Sequence, residues 1–348
     1  MTRERSSDTK NIDTDNRIIY LHCGYPKTAT TTMQQWVFPK ISAWNYIGRI
    51  LPEDDRKDSE WILEKGFRLG LNGNSAETER YNEAVKELER IRATTRGACF
   101  FSLENITARC FVPQVSESGK ELISGPPSLQ ESLTHAKSLC ETAGFDDVRP
   151  IVTLRPQSEL LASFYAQAYM AHYGRSSGLR SFSEFIDLWL SSNKVLRSDT
   201  VDFCVLDDTL KRMFGNGKYK FLLFDWLKSD PSVFSSELAR FTNARSAELE
   251  QEIKGAQSEN RRRVGDERKW KMHRLNSAYL VTRARALFLP NRSLGIGRFL
   301  EPALSKLQFG PKELEMSKND LVRIQEFYAE SNAEFGRRYP DLKQLSLV

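Results

Sequence analysis

Ile18-Ile19-Tyr20-Leu21-His22-Cys23-Gly24-Tyr25-Pro26-Lys27-Thr28-Ala29-Thr30-Thr31-Thr32 reads as three consecutive parts. A short apolar run with β-branched members stops at Gly24. A loop with one lysine and a cluster of hydroxyls follows, and then Met33, Trp36 and Val37 recur at helical spacing. That is strand, glycine turn, helix. A helix start placed after a strand offers free backbone N–H groups and partial positive charge, which together hold a phosphate or sulfate, and Lys27 adds a full charge. The loop is not a Walker A sequence, because G-x-x-x-x-G-K-[ST] puts a glycine immediately before the lysine and Pro26 stands there. The competing reading is a hydroxyl-rich turn carrying a surface lysine.

The same alternation recurs outward from this unit. Asn74 with Glu77 forms a capping-box pattern for a helix with Tyr81, Val85, Leu88 and Ile91 on one face, and Gly97 separates it from the strand 98–103. Leu129, Leu133, Ala136, Leu139 and Cys140 line a helix closed by Gly144. Residues 150–154 then read as a buried strand entering a helix near Gln157. A helix over 203–214 stops at Gly215-Asn216-Gly217, and the strand 219–224 precedes a helix started by Asp230-Pro231. Strands alternating with helices imply an α/β fold with a doubly wound, mainly parallel sheet flanked by helices. Beyond about residue 245 the strand signal stops, and the expectation is a mainly helical C-terminal part, 246–348, ending on a helix that carries Leu321, Ile324, Tyr328 and Phe335. Residues 1–16 contain only Met1 and Ile12 as apolar side chains and read as a disordered tail, leaving 17–348 as a single domain with its α/β core at 17–245.

Composition narrows the functional classes. With 348 residues and 40% hydrophobic side chains the chain can build a sizeable core. Its formal charge of +5, from 51 Lys+Arg against 46 Asp+Glu, is too small to announce nucleic acid or a membrane surface and suits an anionic small ligand. The five cysteines are an odd number without C-x-x-C spacing, and the four histidines lack ligand-like spacing. This argues against a disulfide framework and a metal site and points to a reducing, cytoplasmic compartment. No apolar stretch approaches the ~18 residues of a membrane span, and the start of the chain is polar.

Pro26-Lys27-Thr28-Ala29-Thr30-Thr31 resembles the 5′-phosphosulfate loop of the sulfotransferases that use 3′-phosphoadenosine 5′-phosphosulfate (PAPS), P-K-[ST]-G-T-T, departing from it at Ala29, where the family commonly has glycine. Leu154-Arg155-Pro156-Gln157-Ser158-Glu159-Leu160-Leu161-Ala162-Ser163 resembles the family's second donor segment, an arginine leaving a buried strand with a serine in the following helix. The resemblance covers roughly 17–245, with softer similarity at Phe214-Gly215 and Phe224-Asp225-Trp226. It implies a P-loop-type fold and a sulfuryl transfer from PAPS, without metal. Lys27 would stabilise the departing phosphate, and Pro26, Thr28, Ala29, Thr30 and Thr31 would form the cradle for the 5′-phosphosulfate. Arg155 and Ser163 would hold the 3′-phosphate; a guanidinium fork and a hydroxyl both donate to phosphate oxygens.

An acceptor hydroxyl needs a proton acceptor, which family members supply as a histidine or a glutamate. Glu104, at the end of Phe101-Ser102-Leu103-Glu104-Asn105, is the first choice, since doubly wound folds place ligands at that sheet edge; this segment is similar to the S-x-E-N of bacterial sulfotransferase-like sequences. A helix-capping or salt-bridging carboxylate is its structural alternative. His22 is the second candidate, against the reading of a satisfied core histidine, and His135 and His172 have weaker claims. Arg261 and Arg262, in the basic segment 261–274, would close over the 3′-phosphate by the resemblance, or else form a solvated helix face. The acceptor implied is a hydroxyl or amine, on a carbohydrate or glycolipid. Two other functions remain open: a P-loop kinase or NTPase, which needs magnesium and ATP, and a nucleic-acid binder using 261–274, which the modest net charge disfavours.

Overall fold

The structure is a computed structural model and describes residues 17–48, 58–67, 75–111, 114–115, 122–124, 126–169, 179–191, 196–256, 269–272, 275–276, 308–309 and 312–342. The tail 1–16, His172, Arg261 and Arg262 lie outside these residues.

Five strands, β1 (Ile18–His22), β2 (Asn45–Gly48), β3 (Cys99–Ser102), β6 (Asp147–Leu154) and β7 (Lys220–Leu223), form one sheet in the order β2-β3-β1-β6-β7. All four pairings are parallel, with Tyr20 opposite Phe100 and Arg149, and Leu21 opposite Phe101 and Pro150. β1 is central because both its faces are apolar; after Ile18 every one of its residues is buried. Side chains alternate across the sheet. Tyr20 and Phe100 meet Phe38, Trp44 and Phe241 on one face, whereas Phe101 packs on Phe67 on the other.

Helices cover both faces. From β1 the chain moves two strands along the sheet to β2 through α1 (Thr30–Thr32), which continues as a π-helical turn, Met33–Val37, and a 3-10 turn, Phe38–Lys40. The returning connections run the opposite way, through α2 (Asp58–Phe67) and α3 (Ser75–Thr94) to β3, and through α4 (Asn105–Ala108) and α5 (Leu129–Thr142) to β6. Right-handed crossovers travelling in opposite directions fall on opposite faces, so the sheet is doubly wound. After β6 come α6 (Gln157–Ala168), α7 (Phe182–Leu190) and α8 (Phe203–Phe214), and after β7 the short α9 (Trp226–Ser229), α10 (Pro231–Thr242) and α11 (Ser246–Gly255). α11 packs against the π-helical turn after α1, and α3, α5 and α8 pack in sequence on the other side. The starts are set locally: Ser128 with Glu131 and Ser181 with Glu184 are complete capping boxes, and Asp230 caps α10 ahead of Pro231.

Two features differ from the sequence reading. β2 is a four-residue edge strand, Asn-Tyr-Ile-Gly, too short and too polar to read as one. The C-terminal part ends as expected on a long helix, α12 (Lys318–Arg338), with Ile324, Tyr328 and Phe335 buried, but strands intervene before it. β8 (Lys269–Lys271) pairs antiparallel with β11 (Glu313–Glu315), and β9 (Leu275–Asn276) with β10 (Gln308–Phe309), in one continuous register. This ribbon seats Trp270 and Leu314 in the core and packs on α6. Lys-Trp-Lys-Met alternates charged and apolar residues over too few positions to stand out from the surrounding basic text. The remaining short pair, β4 (Gln114–Val115) with β5 (Leu122–Ser124), lies between α4 and α5.

Candidate functional site

The loop after β1 sits at the C-terminal edge of the sheet, where β3 and β6 flank it and where parallel sheets place ligands. Its backbone turns through two non-glycine residues in the left-handed region, Lys27 at φ 69° and Ala29 at φ 59°, ψ 21°. Alternation of such residues with right-handed ones curves successive backbone amides toward a common concavity, a known device for anions. Ala29, the departure from the family's glycine, thus occupies a position at which a Cβ is disfavoured by about 1–2 kcal/mol.

Hydroxyls fix the loop from within. Thr28 Oγ1 donates to the Tyr25 carbonyl at 2.6 Å, closing the turn around Pro26 and Lys27. Thr107, on α4, donates to the Gly24 carbonyl at 2.9 Å. At Gly24 a Cβ would be tight, 3.1 Å from Thr28 Oγ1 and 3.2 Å from His22 Nε2. Tyr25 is fully buried and donates to the Thr200 carbonyl at 2.5 Å, with burial holding its phenol well above the ordinary range. Thr28 and Thr30 are buried, while Lys27, Ala29 and Thr31 are half-buried.

Glu104 stands at the N-terminal boundary of α4 and is half-buried. Its carboxylate does not cap its own helix; Oε2 accepts from the Thr30 hydroxyl, across from the β1 loop. The fold therefore brings Glu104, Thr30 and Lys27 to one edge.

Arg155 emerges from β6 on the other side of the loop. Its guanidinium is buried, stacked over Phe224 at 4.9 Å, and donates from Nη1 to the Lys27 carbonyl at 3.0 Å. Nε and Nη2 donate to Glu159 at 3.2 and 2.9 Å. Ser163 is buried on α6, one turn beyond Glu159. No hydrogen bond joins Arg155 to Ser163 in this arrangement. Arg155 and Ser163 occupy neighbouring elements, β6 and α6.

His22 lies beneath the loop, 1% exposed, with Nδ1 2.7 Å from Ser102 Oγ and Nε2 3.2 Å from Thr153 Oγ1. Desolvation lowers its pKa to about 3, so the ring is neutral at physiological pH. Both nitrogens are engaged inside the core, which places it as a buried support of the loop rather than a group facing an acceptor. His135 is tied to the Gly66 carbonyl at 2.8 Å, on the helical layer away from the loop.

Residues not anticipated from the sequence complete the site. Gln34 is turned inward by the π-helical winding of Met33–Val37 and donates to the Ser102 carbonyl at 3.1 Å and to Ser102 Oγ at 3.2 Å. Gln34, Ser102, His22 and Thr153 form a buried polar chain running under the loop from α1 to β6. A glutamine at a nominally α-helical spacing carries no mark of this. Glu159 could have been read from its i,i+4 spacing to Arg155, an ion-pair distance on any helix. Among the described residues no group of three His, Cys, Asp or Glu side chains gathers into a metal-like cluster, and no helix is long and apolar enough to cross a membrane.

No family model matches the chain, and no curated protein matches it. Solved structures similar to it include two sulfotransferases. One is the crystal structure of a sulfotransferase from Alicyclobacillus acidocaldarius, at 12% identity over 91% of this chain and 94% of that one, with a TM-score of 0.43. The other is mouse sulfotransferase SULT7A1 complexed with PAP, at 11% identity over 96% of this chain and 89% of that one, with a TM-score of 0.38.

Proposed function

We propose that this chain is a PAPS-dependent sulfotransferase that transfers a sulfuryl group in line to a hydroxyl or amine of a carbohydrate or glycolipid. The observation that carries the reading is the loop from Gly24 to Thr30: two left-handed residues, a lysine and buried threonine hydroxyls, set between Glu104 on one side and Arg155 on the other. A curved backbone with a neighbouring cation fits a terminal phosphosulfate, and Pro26 stands where a magnesium–triphosphate loop of the Walker A kind has glycine before its lysine.

In this mechanism Lys27 sits where negative charge builds on the oxygen that the sulfuryl group leaves, and its ammonium stabilises that charge. Thr28 and Thr30 shape the cradle through their engaged hydroxyls, and the backbone N–H groups of Thr28, Thr30 and Thr31 donate to its anion. Glu104 accepts the proton of the attacking acceptor, held toward the loop by Thr30. Arg155 and Ser163, with Arg261 and Arg262 beyond the described residues, bind the 3′-phosphate. Most of the acceleration then comes from alignment and charge stabilisation, as in phosphoryl transfer.

Calorimetric titration with 3′-phosphoadenosine 5′-phosphate, the desulfated product of the donor, in parallel with ATP and magnesium, tests the reading on the wild type and on Lys27→Ala. Metal-independent binding of the bisphosphate, weakened in Lys27→Ala, is expected. Binding of magnesium–ATP with none of the bisphosphate would replace the sulfotransferase with a kinase or NTPase.

A further inference from the structure

The two donor segments of the sequence are joined in the structure by one hydrogen bond. Arg155 Nη1 donates to the carbonyl of Lys27, a residue 128 positions away whose φ of 69° is unfavourable for any side chain larger than glycine. A left-handed lysine persists only where its surroundings over-determine it. Three contacts set the guanidinium that holds it: Glu159 accepts from Nε and Nη2, Phe224 lies under its plane at 4.9 Å, and burial leaves the Arg155 side chain 7% exposed. A planar fork with both branches engaged is directional in a way that an ammonium cannot reproduce.

We infer that Arg155 is a positioning residue for Lys27: aimed by Glu159 and Phe224, its guanidinium holds the Lys27 carbonyl and thereby the left-handed turn that presents the Lys27 side chain and the Thr28–Thr30 cradle. This rests on the donor reading above and deepens it. Arg155 acts on the 5′-phosphosulfate end of the site through the backbone, in addition to any contact with the 3′-phosphate. The two phosphate-binding ends are thereby mechanically coupled, and Glu159, which touches neither phosphate in this scheme, belongs to the same device.

The test compares the wild type, Arg155→Lys and Glu159→Gln in two measurements. The first is calorimetric affinity for 3′-phosphoadenosine 5′-phosphate and for adenosine 5′-phosphate, which lacks the 3′-phosphate. The clamp requires both variants to weaken adenosine 5′-phosphate by roughly tenfold, the scale of one lost charged hydrogen bond. Weakening of the bisphosphate alone, with adenosine 5′-phosphate unchanged, would overturn the clamp and leave Arg155 as a 3′-phosphate ligand. The second is amide hydrogen exchange at Met33, whose N–H donates to the carbonyl of the left-handed Ala29 at 3.0 Å, in the ligand-free proteins. Exchange about tenfold faster in either variant supports the clamp, and unchanged protection in both opposes it. If the wild type binds neither nucleotide, the donor reading fails, while the exchange measurement still decides the clamp. Thermal melting of each variant checks folding, and Glu159→Gln carries the test if Arg155→Lys does not fold.

Discussion

The Thr30 hydroxyl donates to Oε2 of Glu104, joining the first residue of α1 to the N-terminal boundary of α4 across 74 positions of sequence. One bond thus ties the proposed proton acceptor to the loop after β1. Glu104→Gln retains the shape of the side chain and removes its capacity as a base. Sulfuryl transfer from PAPS to a screened set of mono- and oligosaccharides, followed as release of the bisphosphate product, is expected to fall by about 10²–10⁴-fold. Affinity for the bisphosphate should stay within about threefold, the margin of a change that leaves the anion cradle in place. Loss of binding with unchanged turnover at saturating donor would assign Glu104 to the loop's architecture instead.

Ala29 adopts φ 59°. Glycine at this position relieves a Cβ clash but adds freedom to the unfolded chain, so Ala29→Gly should stabilise the protein by a net ~0.5–1 kcal/mol in urea denaturation. Ala29→Val, with a β-branched side chain in the same conformation, should destabilise it by about 2 kcal/mol or more. Equal midpoints for all three proteins would remove the left-handed turn from consideration.

His22 makes stability depend on pH in a defined direction. Its folded pKa is depressed to about 3 from the ordinary 6.5, so the unfolded chain takes up a proton on acidification that the folded protein refuses. Its contribution is intact above pH 6.5 and declines as pH falls from 6.5 toward 3. Between pH 7 and pH 5 the wild type should lose roughly 2 kcal/mol more than His22→Gln, which keeps polar partners for Ser102 and Thr153 without titrating. Parallel denaturation curves for the two proteins across this range would show that the ring is not held neutral.

Asp207 anchors the C-terminal helix. Buried on α8, it accepts from Tyr219 at 2.6 Å, from Tyr339 at 2.5 Å and from Arg338 at 2.9 Å. Asp207→Asn removes one of the three carboxylates around Arg338, leaving Asp208 and Glu334, and mismatches one of the phenols at a buried position, at an expected cost of about 1–3 kcal/mol in equilibrium unfolding. Because Tyr219, Tyr339 and Arg338 all lie outside the β1 loop, bisphosphate affinity in the folded variant is expected within about twofold of the wild type.

The sequence carried the elements whose signal is local. β1, β3, β6 and β7 read as apolar runs because parallel strands covered on both faces need no alternation, and their observed bounds differ by a few residues at most from those read. The start of α10 was legible because Asp230-Pro231 is a local cap, whereas the Ser128–Glu131 box of α5 went unread. β2 and the ribbon of β8–β11 were not, since pairing partners as distant as Lys269 and Glu315 leave no trace in a local window.

The candidate site divides in the same way. By itself the sequence determined the lysine- and hydroxyl-bearing loop after β1, the arginine at the end of β6 and the glutamate two residues past β3, since residue type after a strand is a local property and strand ends of a parallel sheet share one edge. Only the tertiary structure decided what those groups do to one another. It placed Thr30 on Glu104 and Arg155 on the Lys27 carbonyl, closed His22 into the core between Ser102 and Thr153, and swung Gln34 inward through a π-helical turn. Each of these contacts depends on side-chain direction and strand register between segments far apart in sequence, and neither is encoded in any single stretch of residues.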